Sequence, residues 1–266
     1  CSWSGFVIRG ILTLAACVSL GVAFQPSTSA QPDPGPTLLA APAKSTGDAA
    51  ADERFAKRLE VADAAMAKVL DLRADFEQRR HTPLLKKPIV SSGVVLSKGD
   101  RVRWDTVAPR ASSMLIGAGE IRMYYPADKL VEVYPVGEGF KDLAGSPLPR
   151  LSVLKTRFDI SPLAPRDLGV NDADPKFLAV LLTPKLDELR KHVASVKVLI
   201  DESRPAATKV VMTDPEGEET EILFTNVRLN AGVKADELEL KLPEGVRISR
   251  PLGEGQGALK APATPS

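Results

Sequence analysis

The stretch that decides the fold is Gly93-Val-Val-Leu-Ser-Lys-Gly-Asp-Arg-Val-Arg-Trp104, where two strand patterns flank a turn. Its first half is apolar and β-branched, and Lys98-Gly99-Asp100 has the composition of a turn. In the second half, Val102 and Trp104 alternate with charged residues, as in a strand with one buried face. The stretch therefore predicts two neighbouring antiparallel strands.

Similar strand patterns continue along the chain, separated by turn signals such as Pro215-Glu216-Gly217-Glu218. They occupy residues 89–96, 101–106, 113–116, 121–125, 130–134, 177–182, 193–200, 208–213, 219–224, 239–242 and 246–249. About eleven strands in this arrangement predict one strongly curved antiparallel sheet. The predicted class is α+β, mainly β, with the sheet forming an open half-barrel.

A long helical pattern precedes the strands, at residues 51–80. Its apolar face consists of Phe55, Leu59, Ala62, Met66, Val69 and Phe76. A short helical region is predicted at 140–156 and one helical turn at 233–237. Because an amphipathic helix needs an apolar surface to cover, we expect the helices to lie over the concave face of the sheet. Two interpretations stay open: the helices cap a filled core, or they form a removable lid over a ligand cavity.

The N-terminal residues have the pattern of a secretion signal. A single basic residue, Arg9, precedes an apolar run that ends at Phe24. This run is shorter than a typical transmembrane helix and has the length of a signal-peptide core. We therefore predict that residues 1–30 are a signal peptide and that the protein is exported to a bacterial periplasm. A Pro/Ala-rich leader at 31–50 and a tail at 251–266 are predicted to be disordered, which leaves one folded domain at 51–250.

Two kinds of processing compete at this N-terminus. Small residues before Phe24 and at Thr28-Ser29-Ala30 suit ordinary signal peptidase, whereas Leu14-Ala15-Ala16-Cys17 resembles a lipobox. A lipidated cysteine is normally followed by a polar tether, but the residues after Cys17 stay apolar. Ordinary cleavage is therefore favoured, and a lipid anchor on Cys17 is the alternative.

The sequence offers few residues for catalysis or for binding a metal. His81 and His192 are the two histidines, and they form no cluster with metal-ligand spacing. Serines occur without the Gly-x-Ser-x-Gly elbow, and glycines without a P-loop lysine. A formal net charge of +1 gives no reason to expect nucleic acid binding. These observations predict a binding protein that is not an enzyme and needs neither cofactor nor metal.

Several stretches, taken in order, resemble the LolA family of periplasmic lipoprotein carriers. They are Leu72-Arg-Ala-Asp-Phe-Glu-Gln-Arg79, Gly93 to Trp104 with Pro109, Ile121-Arg-Met-Tyr-Tyr-Pro126 with Val131-Glu-Val133, Leu181-Leu-Thr-Pro-Lys185, and Phe224-Thr-Asn226 with Asn230 and 238–246. The first resembles the family's helix end, the second its glycine strand and Arg-Trp strand, and the others its later strands and turns. The resemblance covers about residues 55–249 and depends on the order and spacing of short motifs.

The resemblance implies an eleven-stranded open barrel with helices as a lid. It also implies a carrier that binds the acyl chains of lipoproteins, or another amphiphilic lipid, and passes them towards the outer membrane. Its expected partners are an inner-membrane release complex and an outer-membrane acceptor, and the carrier is expected to be a monomer. No catalytic residue is needed, because apolar chains leave water for an apolar cavity.

The candidates for lining such a cavity are apolar strand residues, which would equally suit a filled core. They are Trp104, Met114, Ile116, Met123, Tyr125 and Phe158. The resemblance places Lys98 where the family has an arginine that helps to hold the lid shut, so Lys98 is the candidate lid contact. Lysine lacks the planar fork of arginine, and a lid held by lysine is expected to be less secure.

Two further departures from the family pattern concern Val102, where an aromatic residue is expected, and Arg122, where an apolar one is usual. The departures at Lys98 and Val102, together with Cys17, support a second hypothesis. In that hypothesis the same scaffold is a membrane-tethered receptor or an envelope-stress sensor that binds a partner protein.

Overall fold

The computed structural model describes residues 46–83, 85–135 and 150–251. Three α-helices are present there: α1 (Thr46–Met66), α2 (Leu151–Leu154) and α3 (Asp187–Arg190). The strands are β1 (Asp71–His81), β2 (Ile89–Lys98), β3 (Arg101–Ala108), β4 (Ser112–Gly117), β5 (Glu120–Tyr125), β6 (Leu130–Pro135), β7 (Phe158–Pro162), β8 (Phe177–Pro184), β9 (Ser195–Asp201), β10 (Ala206–Thr213), β11 (Glu219–Leu229) and β12 (Arg247–Ser249). Single 3-10 turns occur at Pro165–Leu168 and Ala235–Leu238.

All twelve strands belong to one sheet, in the order β12-β6-β5-β4-β3-β2-β1-β11-β10-β9-β8-β7. Neighbouring strands are antiparallel except β12, which runs parallel to β6. The sheet is open, with β7 at one edge and β12 at the other. This confirms the predicted α+β, mainly β fold with an open, curved antiparallel sheet and a long N-terminal helix.

One face of this sheet can be followed through the register of all its central strands. Phe76 of β1 lies opposite Phe224 of β11 on one side and opposite Gly93 of β2 on the other. The same face continues through two cross-strand rows, Trp104–Met114–Met123 in β3 to β5 and Val180–Val198–Val210 in β8 to β10. We call this the inner face, because α1 packs on it.

The inner face carries two clusters of buried side chains. In the first, which we call the helix half, Leu59, Ala62 and Met66 of α1 pack with the inner face of β7 to β10. The second, the aromatic half, is built mainly on β1 to β5 and β11 and contains Phe76, Trp104 and Phe224. None of the α1 residues that the structure describes belongs to the aromatic half.

The outer face is covered by irregular segments of chain. Pro165–Leu168 contributes Leu168, which packs on Ala179, Leu199 and Val211. Between β11 and β12, residues 230–246 contribute Val233 and Leu238, which pack on Leu96 of β2. We call residues 230–246 the outer strap, because they lead from β11 to β12 at the edge of the sheet.

The structure corrects the predicted helix at 51–80. The helix begins at Thr46 and ends at Met66, and Leu72 to Arg79 lie in β1 rather than at a helix end. Side chains at alternate positions of β1 are buried from Leu72 to Gln78, which is the period of a strand. The backbone of β1 pairs with β2 and with β11, and these long-range ladders outweigh the local helical pattern.

Two smaller sequence predictions are also corrected. Residues 239–242, predicted as a strand, are irregular chain of the outer strap, and β7 forms where no strand was predicted. Of the helical region predicted at 140–156, Leu151–Leu154 is helical, and residues 140–149 lie outside the described residues. The helical turn predicted at 233–237 is confirmed by the 3-10 turn Ala235–Leu238. The predicted signal peptide and nearly all of the predicted tail lie outside the described residues.

Candidate functional site

Five of the six candidate lining residues lie together in the aromatic half. Trp104 of β3 faces Met114 of β4, which in turn faces Met123 of β5. Ile116 is buried in the same cluster, and Tyr125 packs against its edge. Phe158 does not join them, because β7 lies at the far edge of the sheet and places Phe158 in the helix half.

Three aromatic rings form the centre of the aromatic half. The ring centroids of Phe76 and Trp104 are 4.7 Å apart with an edge-on geometry, and those of Trp104 and Phe224 are 5.8 Å apart. Because Gly93 has no side chain, the Phe76 ring can lie over it. The group combines rigid aromatic surface with the flexible thioethers of Met114 and Met123, a combination that suits an apolar chain of variable shape.

Polar groups are also present on the inner face. Gln78 and Ser91 face each other across β1 and β2, and both are 1% exposed. The side-chain amide nitrogen of Gln78, the hydroxyl of Ser91 and the indole nitrogen of Trp104 are buried without a hydrogen-bond partner. Such groups are uncommon in folded proteins and call for an explanation.

A small polar group lies on the inner face of β5 and β6. The Tyr134 hydroxyl donates a hydrogen bond of 2.8 Å to Glu132 Oε2. Burial raises the pKa of both Tyr125 and Tyr134, and the negative charge of Glu132 raises both further. The two phenols therefore remain neutral at physiological pH and can act as hydrogen-bond donors.

Helix α1 is tied to the sheet by Arg58, which the sequence analysis did not single out. Its guanidinium forms an ion pair with Glu202 and donates to the carbonyl oxygens of Phe177 at 2.8 Å and Pro175 at 3.1 Å. Phe177 is the first residue of β8, Pro175 lies just before it, and Glu202 is in the β9–β10 turn. All three are far from Arg58 in sequence. No local pattern marks such a contact, so sequence reasoning had no signal for it.

Lys98, the candidate lid contact, is at the end of β2. Its Nζ donates a hydrogen bond of 2.5 Å to the carbonyl oxygen of Val233 in the outer strap. Arg103 donates to two further strap carbonyls, those of Glu237 at 3.1 Å and Glu239 at 2.6 Å. Among the described residues, the hydrogen bond of Lys98 is thus to the outer strap and not to α1.

A second concave site lies between the strap and the outer face of β3 to β5. Its volume is about 310 Å³, and its lining combines leucines with two arginines. Arg122 within it is ion-paired with Glu120 at 3.0 Å. The residues of this outer groove are Arg101, Leu115, Gly117, Ala118, Arg122, Leu238, Glu239, Leu240 and Leu242.

The described residues contain no group of three or more side chains that could hold a metal ion. Within the same residues, no helix is long and apolar enough to cross a membrane. What the inner face offers chemically is apolar surface with a few buried neutral donors.

Comparison with known proteins gives one family and several distant structures. The family model described as "Outer membrane lipoprotein carrier protein LolA" matches residues 67–241. No curated protein matches the chain.

Solved structures with a related shape include an uncharacterized conserved protein from Thermus thermophilus, with 10% identity over 75% of this chain and 99% of that one and a TM-score of 0.47. The lipoprotein LppX from Mycobacterium tuberculosis has 8% identity over 69% of this chain and 98% of that one, with a TM-score of 0.42. A chain of the Pseudomonas aeruginosa MucA/MucB complex has 12% identity over 70% and 61%, with a TM-score of 0.40. All three are too distant to indicate what this chain binds.

Proposed function

This chain belongs to the LolA family, and from that premise we propose that it is a periplasmic carrier that binds acyl chains of lipoproteins, or of another amphiphilic lipid, against the inner face of its sheet. The family is described as a carrier of lipoproteins, which is a binding role rather than an enzymatic one. The carrier would pass its cargo towards the outer membrane, from an inner-membrane release complex to an outer-membrane acceptor.

The observation that carries the proposal is the aromatic half of the inner face. It gathers Trp104, Met114, Ile116 and Met123 into one continuous apolar surface, while the described α1 packs on the other half. An acyl chain that leaves water for such a surface gains roughly 0.8 kcal/mol for each methylene buried. This gain needs no catalytic residue.

Release requires that the closed form be only moderately stable. Helix α1 covers the helix half, and Arg58 ties it to the sheet through one ion pair and two carbonyl contacts. Movement of α1 away from the sheet would therefore break these polar contacts and expose part of the helix half to water. In this mechanism α1 is the lid, and a partner with higher affinity for the acyl chains removes them.

The proposal is tested by calorimetry of the purified protein with a series of saturated fatty acids of increasing length. Affinity should rise about fourfold for each added methylene until the site is full. Binding should also have a negative heat-capacity change, because apolar surface leaves water. A lack of saturable binding, or affinities that do not depend on chain length, would refute the proposal.

A pair of variants shows whether the site is internal. Met123 is fully buried in the aromatic half, and Met123→Ala would enlarge the site. In this variant the affinity should therefore keep rising up to a longer fatty acid than in the parent. Val107 is 67% exposed, and Val107→Ala is the matched control, which should leave the profile unchanged.

The sequence Leu14-Ala15-Ala16-Cys17 favours a second candidate, a tethered receptor or envelope-stress sensor on the same scaffold. Mass spectrometry of the N-terminus of the protein purified from its own envelope separates the two. An acylated Cys17 would support the tethered form, and an N-terminus that begins beyond Cys17 would support the soluble carrier.

A further inference from the structure

Three polar groups are buried on the inner face without a partner: Gln78 Nε2, Ser91 Oγ and Trp104 Nε1. Their side chains are between 1% and 3% exposed, so water at the protein surface does not satisfy them. A buried donor without an acceptor destabilises the folded protein, and each such group in a native structure calls for a reason.

Two of the three groups are neighbours on the inner face. Gln78 and Ser91 are directly opposite each other on β1 and β2. Phe76 is two residues from Gln78 on the same strand and face, and its ring contacts that of Trp104. Trp104 is opposite Val95, four residues along β2 from Ser91, so Phe76 lies between the Gln78–Ser91 pair and Trp104. The row Trp104–Met114–Met123 continues from there across β3 to β5.

The charge state of this region indicates which ligand group fits. The amide and indole nitrogens are neutral donors, and the hydroxyl can donate or accept. Arg80, the next residue of β1 on the same face, is ion-paired with Glu218 at 2.6 Å, so its charge is already compensated. A carboxylate or phosphate buried here would have no free cation among these groups, whereas the carbonyl oxygen of an ester or amide needs only neutral donors.

We propose that Gln78 and Ser91 form a polar subsite that binds the ester or amide carbonyl of an acyl group, whose chain runs past Phe76 and Trp104 to Met114 and Met123. The inference rests on the proposed function and narrows it. The preferred ligands are acyl esters and amides, as opposed to ether-linked or unsubstituted chains of the same length.

The test compares two ligands that differ only in the carbonyl. Monopalmitoylglycerol carries an ester, and hexadecylglycerol carries an ether with the same head and a chain of equal carbon number. The full-length protein should bind the ester about tenfold more tightly, as expected for one or two neutral hydrogen bonds made in a buried site.

Two variants then assign the preference to the subsite. Gln78→Met and Ser91→Ala each remove one polar group, and each should lower the ratio of ester to ether affinity towards one. Ser92 neighbours Ser91 but points to the opposite face, so Ser92→Ala is the matched control and should keep the ratio of the parent. Because Gln78→Met removes a polar group that has no partner, its melting temperature should equal or exceed that of the parent.

The outcomes separate this inference from the function on which it rests. If the parent binds neither ligand, the carrier function itself fails. If the parent binds ester and ether equally, or if both variants keep the preference of the parent, the polar subsite is refuted while acyl binding stands.

Discussion

The rings of Phe76 and Trp104 meet edge-on at 4.7 Å, although Phe76 is on β1 and Trp104 is on β3. Between them runs β2, whose residue beneath the Phe76 ring is Gly93. The contact thus depends on a strand position that has no side chain. It joins three strands at the centre of the aromatic half.

Replacing Gly93 should test this dependence. A Cβ at residue 93 would lie 1.9 Å from the carbonyl oxygen of Asp105 and 3.0 Å from Cε1 of Phe76. We expect Gly93→Ala to lower the free energy of unfolding by about 3 kcal/mol, the upper range for overpacking a core. Gly117→Ala is the control, because its Cβ would approach only the flexible side chain of Arg101 closely. Denaturant unfolding that shows equal losses for both variants would contradict the expectation.

Arg58 should govern the movement of α1. Arg58→Met removes the ion pair to Glu202 and the bonds to Phe177 and Pro175, so we expect hydrogen exchange in α1 to rise. If α1 is the lid, release of a fluorescent fatty acid should also become about tenfold faster or more, since loss of a charge-assisted hydrogen bond costs about 1.5–3 kcal/mol. Arg54→Met, an exposed change on the same helix, should leave both rates unchanged. Unaltered exchange in Arg58→Met would show that Arg58 does not hold the helix.

The family resemblance predicts Lys98 as a lid contact, whereas the structure shows its hydrogen bond to Val233 of the outer strap. We expect Lys98→Arg to slow the release of a fluorescent fatty acid and Lys98→Leu to speed it, because arginine supplies more directed donors. The Val233 hydrogen bond adds a second readout: Lys98→Leu should raise hydrogen exchange in the outer strap. Lys86→Leu, an exposed change in the β1–β2 connection, controls for the lost charge. Equal release rates in parent, Arg and Leu variants would remove the lid role and leave only the strap contact.

Acid should loosen the 3-10 turn of the outer strap. The backbone N–H of Lys234 donates to Glu237, and together with the Arg73 guanidinium it holds the pKa of that carboxyl below its usual range. A lowered folded-state pKa stabilises the folded form above the usual range, and this contribution is lost as pH falls through the lowered value. An NMR titration of Glu237 should therefore have its midpoint below the usual range of a glutamate. Arg73→Gln should raise that midpoint, and no change would exclude the ion pair as a cause.

Residues 51–250 should fold without the rest of the chain. Every described strand lies between Asp71 and Ser249, and the buried residues of α1 begin with Leu59. We expect a 51–250 fragment to unfold cooperatively at nearly the temperature of the full chain and to resist limited proteolysis. A fragment that melts broadly, or is cut rapidly within β1 to β11, would show that the fold needs the residues before 51 or after 250.

Local information in the sequence was sufficient for most of the sheet. Strands β2 to β6 and β8 to β12 were predicted because alternating apolar residues and turn residues are properties of a few neighbouring positions. The same reasoning identified Trp104, Met114, Ile116, Met123 and Tyr125 as inward apolar residues, and adjacent antiparallel strands brought them together. That they line a ligand cavity stays a prediction.

What only the tertiary structure decided depends on contacts between distant parts of the chain. Leu72 and Phe76 are spaced four apart and suit a helix, yet with Ala74 and Gln78 they also alternate as in a strand. This segment forms a strand because β2 and β11 supply hydrogen-bonding partners on both sides of it. Strand β11 is almost 150 residues away in sequence. For the same reason the sequence did not predict that Phe158 lies apart from Trp104 or which residues Arg58 contacts. It also did not predict that Gln78 and Ser91 lie opposite each other at the edge of the aromatic half. Spacing along the chain determined each strand, and the order of strands in the sheet determined which side chains share a site.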